Sequence, residues 1–282
     1  MQSIKSIKGM RKFIQTAKAK NKTIGFVPTM GALHEGHLSL ARRSKKENDI
    51  TVASVFINTK QFGPKEDFAR YPREEKKDKL LVQREKVDVI FYPSAEEVYP
   101  HGYVTYVEVE EITQRLCGRF RPGHFRGVTT VVTKLLNIVK PNILYLGQKD
   151  TQQAIVLSKM VEDLNIPVKV QICPTVREKD GLAMSSRNVY LTAQQRQEAP
   201  VLFESLKNAQ KKMIDGGRNV HSIAREVKSA IEKNSSAVVE YVECVNAATL
   251  RPLTKIQGNV LLALAVRFGK TRLIDNLMFK IL

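Results

Sequence analysis

The stretch TIGFVPTMGALHEGHLSL, residues 23–40, carries the clearest structural signal in the sequence. An apolar run typical of a strand leads into a glycine-containing loop, and the pattern over 36–48 is that of an amphipathic helix. A helix that starts directly after a strand directs its first backbone amides towards an anion. His34 and His37 can lie on one side of the first helical turn, and Gly36 has no side chain to exclude a phosphate. The stretch therefore predicts a phosphate-binding loop.

The paired histidines could also form a metal site or occur by chance. Zinc takes three or four protein ligands, and no cysteine or acidic ligand set accompanies His34 and His37. A lone HxGH pattern is weak evidence, but its position after the first strand of a strand–helix alternation favours a nucleotide site. We therefore predict no protein metal site. We expect the imidazoles to donate to phosphoryl oxygens and to stabilise charge as a bond to phosphorus breaks.

Strand-like and helix-like patterns alternate along the first 175 residues. The predicted strands are apolar and rich in β-branched residues, which is typical of a parallel sheet covered on both faces. We predict an α/β fold with a Rossmann-like parallel sheet, helices on both faces, and ligands at the carboxyl ends of the strands. The strands are predicted at 23–29, 50–58, 87–93, 142–147 and 168–175, and the helices at 36–48, 73–85, 127–140 and 150–164.

The pattern changes after about residue 176. Two helical segments come first, at 192–215 and 219–234, and three short strands follow them. Helices followed by strands indicate a smaller C-terminal α+β domain and not a continuation of the alternation. We therefore predict two domains, 1–176 and 177–282.

Composition excludes several classes of protein. Hydrophobic residues make up 43% and charged residues 26%, which is ordinary for a globular protein. No apolar run approaches the roughly 20 residues that span a bilayer. The three cysteines are far apart and form no CxxC pattern, so we expect reduced thiols and a cytoplasmic location.

The charge balance is strongly basic, with 46 Lys+Arg against 28 Asp+Glu and a net charge of +18. Such an excess suits either a nucleic-acid-binding protein or a surface that concentrates anionic substrates. The basic residues are spread along the chain, without an arginine-rich block or a patch interleaved with aromatic residues. We predict small anionic substrates, no nucleic-acid partner and no membrane partner.

Two further polar segments have the composition of phosphate contacts. LGQKDTQQ, residues 146–153, presents Lys149 as a point charge and Asp150 as a group that can organise Mg²⁺ or its waters. Asp150 can instead cap the following helix, and for this segment taken alone the cap is the favoured interpretation. GLAMSSRN, residues 181–188, places two hydroxyls beside Arg187, which suits a triphosphate but also a solvated turn. Taken alone, the second segment is also weak evidence for a phosphate contact.

Several motifs in one order resemble a known family. PTMGALHEGH, INTKQF, YPR, RPGHFRGV, LGQKDTQQ and MSSRN resemble the pantothenate synthetase (pantoate–β-alanine ligase) family of the HxGH nucleotidyltransferase superfamily, and VEYVECVNAATLRPL and ALAVRFGKTRLIDN extend the resemblance over nearly the whole chain. The resemblance implies an AMP-forming ligase that condenses (R)-pantoate with β-alanine to pantothenate. The implied route uses ATP with Mg²⁺, forms a pantoyl adenylate and releases AMP and pyrophosphate. It also implies a homodimer.

The resemblance assigns roles to individual residues. His37 matches the family's proton donor, and we describe His34 and His37 together as the catalytic donors. Gln61 matches a contact to both pantoate and β-alanine, and Gln153 matches a second pantoate contact; an amide both donates and accepts, which suits a hydroxy acid. These roles make 1–176 the ATP- and pantoate-binding domain and 177–282 a lid. The implied ATP contacts are Met30, Gly31, Ala32, Leu33, His34, Glu35, Gly36, His37, Gly147, Gln148, Lys149, Asp150, Val176, Met184, Ser185, Ser186 and Arg187.

The chain departs from the family pattern at a few positions. The family usually has Asn-Pro before the QF motif, whereas Thr59 and Lys60 follow Asn58 here. Gln148 stands where a glutamate is common, and Asn246 where an aspartate is common. The alternative function is another HxGH nucleotidyltransferase or a tRNA-directed adenylating enzyme, but 282 residues leave little room for an anticodon-reading domain.

Overall fold

The computed structural model describes residues 1–64, 66–217 and 219–281. Within them the strands are β1 (Gln2–Ile4), β2 (Ile24–Thr29), β3 (Ile50–Val55), β4 (Val89–Phe91), β5 (Ile143–Gly147), β6 (Lys169–Cys173), β7 (Val238–Asn246), β8 (Gly258–Phe268) and β9 (Thr271–Ile281). The helices are α1 (Ile7–Ala19), α2 (Glu35–Glu47), α3 (Glu75–Arg84), α4 (Ala95–Val98), α5 (Cys117–Phe120), α6 (His124–Val139), α7 (Thr151–Asp163), α8 (Ala193–Glu198), α9 (Val201–Ile214) and α10 (Val220–Asn234). None of the helices in these ranges is long and apolar enough to cross a membrane.

The larger sheet has six parallel strands in the order β1-β4-β3-β2-β5-β6. Consecutive strand residues point to opposite faces, so Phe26 and Val52 join a core with α1, α6 and α7. Val55 and Ala53 pack on the other face with α2 and α3. The sheet is therefore covered on both faces, which confirms the predicted α/β architecture.

The smaller sheet has three antiparallel strands in the order β7-β8-β9. Its inward residues, among them Leu262 and Leu264, share one core with Leu206 of α9 and Ile223 and Ile231 of α10. Helices packed on an antiparallel sheet are the predicted C-terminal α+β arrangement, which is confirmed.

The chain divides into two compact units, and neither unit is one continuous stretch of the sequence. The N-terminal unit contains Met1–Glu110, Arg121–Gln148 and Gln153–Pro174. The C-terminal unit contains Thr175–Leu282 together with two earlier segments, Glu111–Phe120 and Lys149–Gln152. The domain boundary between 176 and 177 stays a prediction.

Two sequence predictions of local structure need correction, and two elements have no predicted counterpart. The helix predicted over 192–215 is two helices, α8 and α9, because Pro200 has no N–H to continue the hydrogen-bond ladder. The strand predicted over 50–58 ends at Val55, where Asn58 begins to cap a 3₁₀ turn. The strand β1 and the helix α1 were not predicted, although α1 buries Met10 at the centre of the core.

Candidate active site

The loop between β2 and α2, residues 30–37 and hereafter the histidine loop, has an unusual backbone. Gly31 and Ala32 both have positive φ, 86° and 49°. A Cβ on Gly31 would lie 2.9 Å from Val55 Cγ1 and 3.0 Å from Asp78 Oδ2, so only glycine fits there. The amide of Gly31 donates to Thr29 Oγ1 over 3.2 Å. The loop therefore has one fixed backbone path out of the sheet.

Asp78 of α3 holds this backbone path in place. Its carboxylate accepts hydrogen bonds from Ala32 N at 3.0 Å and Leu33 N at 2.8 Å, and the residue is buried. Burial raises the pKa of Asp78, although the two amide donors act in the opposite direction. Its role is not apparent from the sequence, because Asp78 lies in the charged run REEKKDKLLVQRE. The one signal was its spacing of four from Val82, which is also buried.

His34 and His37 cap the start of α2 reciprocally. His34 is the N-cap residue, and its Nδ1 accepts from Gly36 N at 3.2 Å. His37 Nδ1 accepts from His34 N at 3.4 Å, and the two rings are 4.1 Å apart between centroids. An Nδ1 that accepts carries no proton, so the neutral imidazoles bear their protons on Nε2. Both rings thus carry an Nε2–H group at a helix N-terminus, and donation from it to phosphoryl oxygens stays a prediction.

Gly36 also has a structural role, beside the His34 ring. A Cβ at this position would lie 2.9 Å from Cε1 and 3.0 Å from Nδ1 of His34. The direction in which a side chain would extend is therefore filled by the His34 ring, and the contact of Gly36 with ATP stays a prediction. Glycine is needed at residue 36 because any side chain would displace the capping imidazole.

Gln61 contacts the histidine loop within the N-terminal unit. Its Nε2 lies 3.1 Å from Met30 Sδ, and the residue is buried. Its Oε1 accepts from Asn58 Nδ2 at 2.9 Å, and Asn58 Oδ1 accepts from Tyr99 OH at 2.8 Å. The structure thus brings the predicted pantoate contact and the first residue of the predicted ATP loop together.

The segment 58–62, hereafter the Gln61 loop, is a short helical turn. Thr59–Gln61 form a 3₁₀ helix, and Asn58 Oδ1 accepts from Lys60 N at 3.3 Å. The departure from Asn-Pro at these positions therefore leaves a regular capped turn. The ammonium group of Lys60 lies 5.9 Å from the Tyr99 ring centroid, a cation–π contact.

The remaining predicted residues of the N-terminal unit follow β5. Gly147 ends this strand, and a Cβ there would meet nothing within 4 Å, so its backbone is open to a close ligand. Gln148 comes next in a 3₁₀ turn, and Gln153 lies in the first turn of α7. Gln153 and Gln61 belong to separate elements of this unit, and their shared contact to pantoate stays a prediction.

Lys149 and Asp150 belong to the C-terminal unit, where Asn276 of β9 holds the Lys149 carbonyl and the Thr151 side chain. Asn276 Nδ2 donates to Lys149 O at 2.9 Å, and its Oδ1 accepts from Thr151 Oγ1 at 2.8 Å. Lys149 Nζ lies 3.4 Å from Asp150 Oδ1, and the Asp150 side chain is 50% exposed. This turn therefore presents a cation and a carboxylate side by side.

The segment 176–188 forms a closed turn in the same unit. Met184 N donates to Val176 O at 3.0 Å, so two predicted ATP contacts lie side by side. Ser185 Oγ accepts from Arg187 N at 3.2 Å and caps the 3₁₀ helix Ser186–Tyr190. The backbone of this turn is hydrogen-bonded, and the choice between an ATP contact and a solvated turn stays a prediction.

Ion pairs and one glycine hold this segment in place. Arg177 makes two bonds to Asp275, 2.6 and 2.9 Å long, and its guanidinium carbon lies 3.6 Å from the Phe203 ring centroid. Arg196 pairs with Asp180 and lowers the pKa of that carboxyl. Gly181 has φ +93°, and a Cβ there would lie 2.6 Å from Phe203 Cδ1. The geometry of Gly181 therefore fixes a tight turn.

The donor set for a metal ion is sparse. Across residues 1–64, 66–217 and 219–281, no three His, Cys, Asp or Glu side chains gather in a cluster that could hold a metal. Mg²⁺ bound to ATP needs few protein ligands, because it keeps several waters and is held by the substrate's phosphates and one or two carboxylates. Asp150, half exposed beside Lys149, fits the role of such a carboxylate.

Comparison with known proteins gives a consistent set of relatives. A model of the family described as pantoate-beta-alanine ligase matches residues 2–278. A pantothenate synthetase from Acetivibrio thermocellus is 53% identical over 281 residues, 100% of both chains. The crystal structure of pantothenate synthetase from Thermus thermophilus has 44% identity and a TM-score of 0.93, covering 98% of this chain and 99% of that one. A Francisella tularensis pantoate-beta-alanine ligase, complexed with beta-gamma ATP and beta-alanine, has 37% identity and a TM-score of 0.83, covering 99% and 97%.

Proposed function

The chain belongs to the pantoate-beta-alanine ligase family, and from this premise we propose that it joins (R)-pantoate to β-alanine through ATP and a pantoyl adenylate. A free carboxylate is a poor acyl donor, whereas its mixed anhydride with AMP has a good leaving group. The first half-reaction therefore activates the acid, and the second transfers the acyl group to the amine.

In the first half-reaction a pantoate carboxylate oxygen attacks the α-phosphorus of ATP, and the bond to pyrophosphate breaks. Charge grows on the phosphoryl oxygens and on the departing pyrophosphate. The reciprocal caps of His34 and His37 support the assignment of both Nε2–H groups as donors to these oxygens. Because the caps fix the rings before the substrate binds, the donors need no reorganisation during the reaction.

In the second half-reaction the β-alanine amine attacks the activated carbonyl. The tetrahedral adduct expels AMP, and the amine loses a proton to give the amide of pantothenate. No covalent protein nucleophile is needed, so alignment of the two reactants is the protein's main contribution. Gln61 is proposed to contact both acids, and Gln153 to contact pantoate.

Binding of the ATP phosphates requires cationic side chains and backbone amides. We assign the histidine loop, Gly147, Gln148, Lys149, Asp150, Val176 and the residues Met184, Ser185, Ser186 and Arg187 to ATP. Lys149 supplies a point charge, and Arg187 supplies a planar set of donors for phosphate oxygens. Mg²⁺ enters with ATP as part of the substrate.

The cellular setting is part of the proposal. The three cysteines are buried and not bonded to one another, which supports a reducing compartment such as the cytoplasm. A homodimer is expected from the family resemblance, and sedimentation would test it. The net charge of +18 is assigned to attraction of anionic substrates and not to nucleic acid.

The observation that carries the proposal is the paired, backbone-fixed histidines at the start of α2. The test is isotope exchange between pyrophosphate and ATP without β-alanine. The proposal expects exchange that depends on pantoate, needs no RNA and stops when pantoate is omitted. Exchange that requires RNA, or that proceeds equally without pantoate, would identify a different adenylating enzyme.

A further inference from the structure

The motif RPGHFRGV, residues 121–128, has no role in the function proposed above. It occupies the start of α6 and the turn before it, in the N-terminal unit. Its polar and glycine residues contact the Gln61 loop at several points, although the two segments are about sixty residues apart in sequence. These contacts join the motif to a loop that is assigned to substrate binding.

His124 holds the backbone of Gln61. His124 is buried, and its Nδ1 lies 3.0 Å from the carbonyl oxygen of Gln61. A carbonyl oxygen can only accept, so Nδ1 carries the proton in this contact. The other ring nitrogen, Nε2, lies 3.0 Å from Nη1 of Arg121. A guanidinium can only donate, so Nε2 is the acceptor and the imidazole is neutral with its proton on Nδ1.

Glu66 holds Arg121 in the orientation that sets this tautomer. Its carboxylate accepts from Arg121 Nε at 2.7 Å and from Nη2 at 2.5 Å, a bidentate pair. Both side chains are largely buried, with 14% of Arg121 and 24% of Glu66 exposed. Burial works against the charged form of Glu66, yet the hydrogen bonds and charge of Arg121 outweigh it and lower the pKa of that carboxyl. Because Glu66 binds Nε and Nη2 of the planar guanidinium, the third nitrogen, Nη1, is directed to His124.

Gly127 supports the same loop one helical turn later. Its carbonyl oxygen accepts from Asn58 Nδ2 at 3.0 Å, and the same Nδ2 donates to Gln61 Oε1. A Cβ on Gly127 would lie 2.3 Å from the carbonyl oxygen of Lys60, so the backbones approach too closely for any side chain. The motif thus fixes both the main chain and the side-chain amide of Gln61.

We propose that His124 is a positioning residue for pantoate recognition, which donates from Nδ1 to the Gln61 carbonyl and is kept in that tautomer by Arg121 and Glu66. It touches no reacting atom and acts only through Gln61. The proposal rests on the proposed role of Gln61 in binding pantoate. The alternative is that His124 is a structural histidine, which stabilises the fold but does not affect the binding of pantoate.

Two substitutions at His124 separate the positioning role from the structural one. In His124→Asn the amide group can occupy the place of Nδ1 and keep a donor for the Gln61 carbonyl. In His124→Gln the amide reaches the place of Nε2 and keeps a partner for Arg121, but the donor to Gln61 is lost. Arg126→Gln, an exposed position in the same motif, serves as the matched control.

The readouts are pantoate binding by calorimetry, the KM values for pantoate and ATP in exchange, and the thermal midpoint. We expect His124→Gln to weaken pantoate binding and raise its KM by roughly tenfold, with the KM for ATP unchanged, because one buried acceptor loses its partner. His124→Asn and the control should stay within about threefold of the unsubstituted protein. Equal effects of Asn and Gln, or a changed KM for ATP alone, would overturn the positioning role.

A second variant keeps the test decisive if His124→Gln does not fold. Glu66→Gln removes the charge that orients Arg121 and should raise the KM for pantoate in the same direction but by less. An unchanged KM for pantoate in that variant would overturn the proposal. Failure of the unsubstituted protein to bind pantoate at all would instead reject the proposed function, so the two failures are distinguishable.

Discussion

The histidine loop in the N-terminal unit and the segment 176–188 in the C-terminal unit are both assigned to ATP, but different interactions hold them. Buried hydrogen bonds fix the histidine loop, with the Asp78 carboxylate on two amides and two imidazoles as helix caps. Ion pairs hold the other segment, chiefly Arg177 with Asp275 and Arg196 with Glu178.

The difference matches the work proposed for each segment. Donors that stabilise a transition state must be in place beforehand, and buried hydrogen bonds to a backbone provide this. The Arg196–Glu178 pair is partly exposed, so it contributes less, is weakened by salt, and can be replaced by a pair with a ligand's phosphates. The Arg177–Asp275 pair is largely buried and holds the start of the segment more firmly. We therefore expect substitutions in the histidine loop to lower the rate, and substitutions in the C-terminal segments to alter ATP use.

The largest effect is expected at His37. His37→Ala removes a donor to the transferring phosphoryl group and should lower pantoate-dependent exchange by about 10²–10³, with a much smaller change in ATP binding. His37→Asn keeps an acceptor near the place of Nδ1, and so the cap, but lacks the Nε2 donor. It should be as slow as His37→Ala. Normal exchange in the folded Asn variant would show that capping, and not donation, is the role of His37.

A smaller but general loss is expected at Asp78. Asp78→Asn can accept only one of the two amide hydrogen bonds, and its own NH₂ group faces the other donor. We expect the free energy of unfolding to fall by about 1–3 kcal/mol and exchange to slow through disorder of the histidine loop. Denaturant unfolding and exchange assays measure both effects. Glu75→Gln, on the exposed face of the same helix, is the control; if it matches Asp78→Asn, the buried carboxylate has no special role.

The third prediction contrasts Gln61 in the N-terminal unit with Lys149 in the C-terminal unit. Gln61→Ala should mainly raise the KM for pantoate, because polar groups of the acid lose their partner. Lys149→Ala should mainly raise the KM for ATP, because a phosphate loses a charge. Both constants are measured in both variants under one buffer. If the KM values for pantoate and ATP change in the same way in both variants, this division of roles is wrong.

The smallest effect is expected in backbone dynamics of the C-terminal unit. If the segment 176–188 acts as a lid on ATP, MgATP should slow amide hydrogen exchange over residues 178–190. The effect is modest because the segment is already hydrogen-bonded through Met184 and Val176. The histidine loop should change less, since Asp78 protects its amides without a ligand. Equal exchange of residues 178–190 with and without saturating ATP would show that this segment is not a lid.

The sequence predicts the parts of this molecule that depend on periodicity. Strands such as β2 and β3 are apolar runs, and the helix α2 is amphipathic, so the parallel sheet and its helices follow from the pattern. The break between α8 and α9 was readable from Pro200 but was not predicted. The motif order also leads to the family, which the comparisons bear out.

The supporting residues of the site could not be predicted. Nothing in REEKKDKLLVQRE distinguishes the buried Asp78 from its exposed charged neighbours without knowledge of the helix orientation. The contact from His124 to Gln61 joins residues 63 positions apart, and no local pattern encodes it. The close approach of Gly36 to the His34 ring could not be predicted either, since the sequence does not show where that ring lies.

Formation of a pantoyl adenylate is the central claim, and an oxygen label tests it most directly. The protein is incubated with unlabelled ATP and β-alanine and with (R)-pantoate that carries ¹⁸O in both carboxylate oxygens. Attack of the carboxylate on the α-phosphorus and later cleavage at the carbonyl predict one labelled oxygen in AMP and one in pantothenate. AMP without label, or label in pyrophosphate or inorganic phosphate, would contradict an adenylate intermediate.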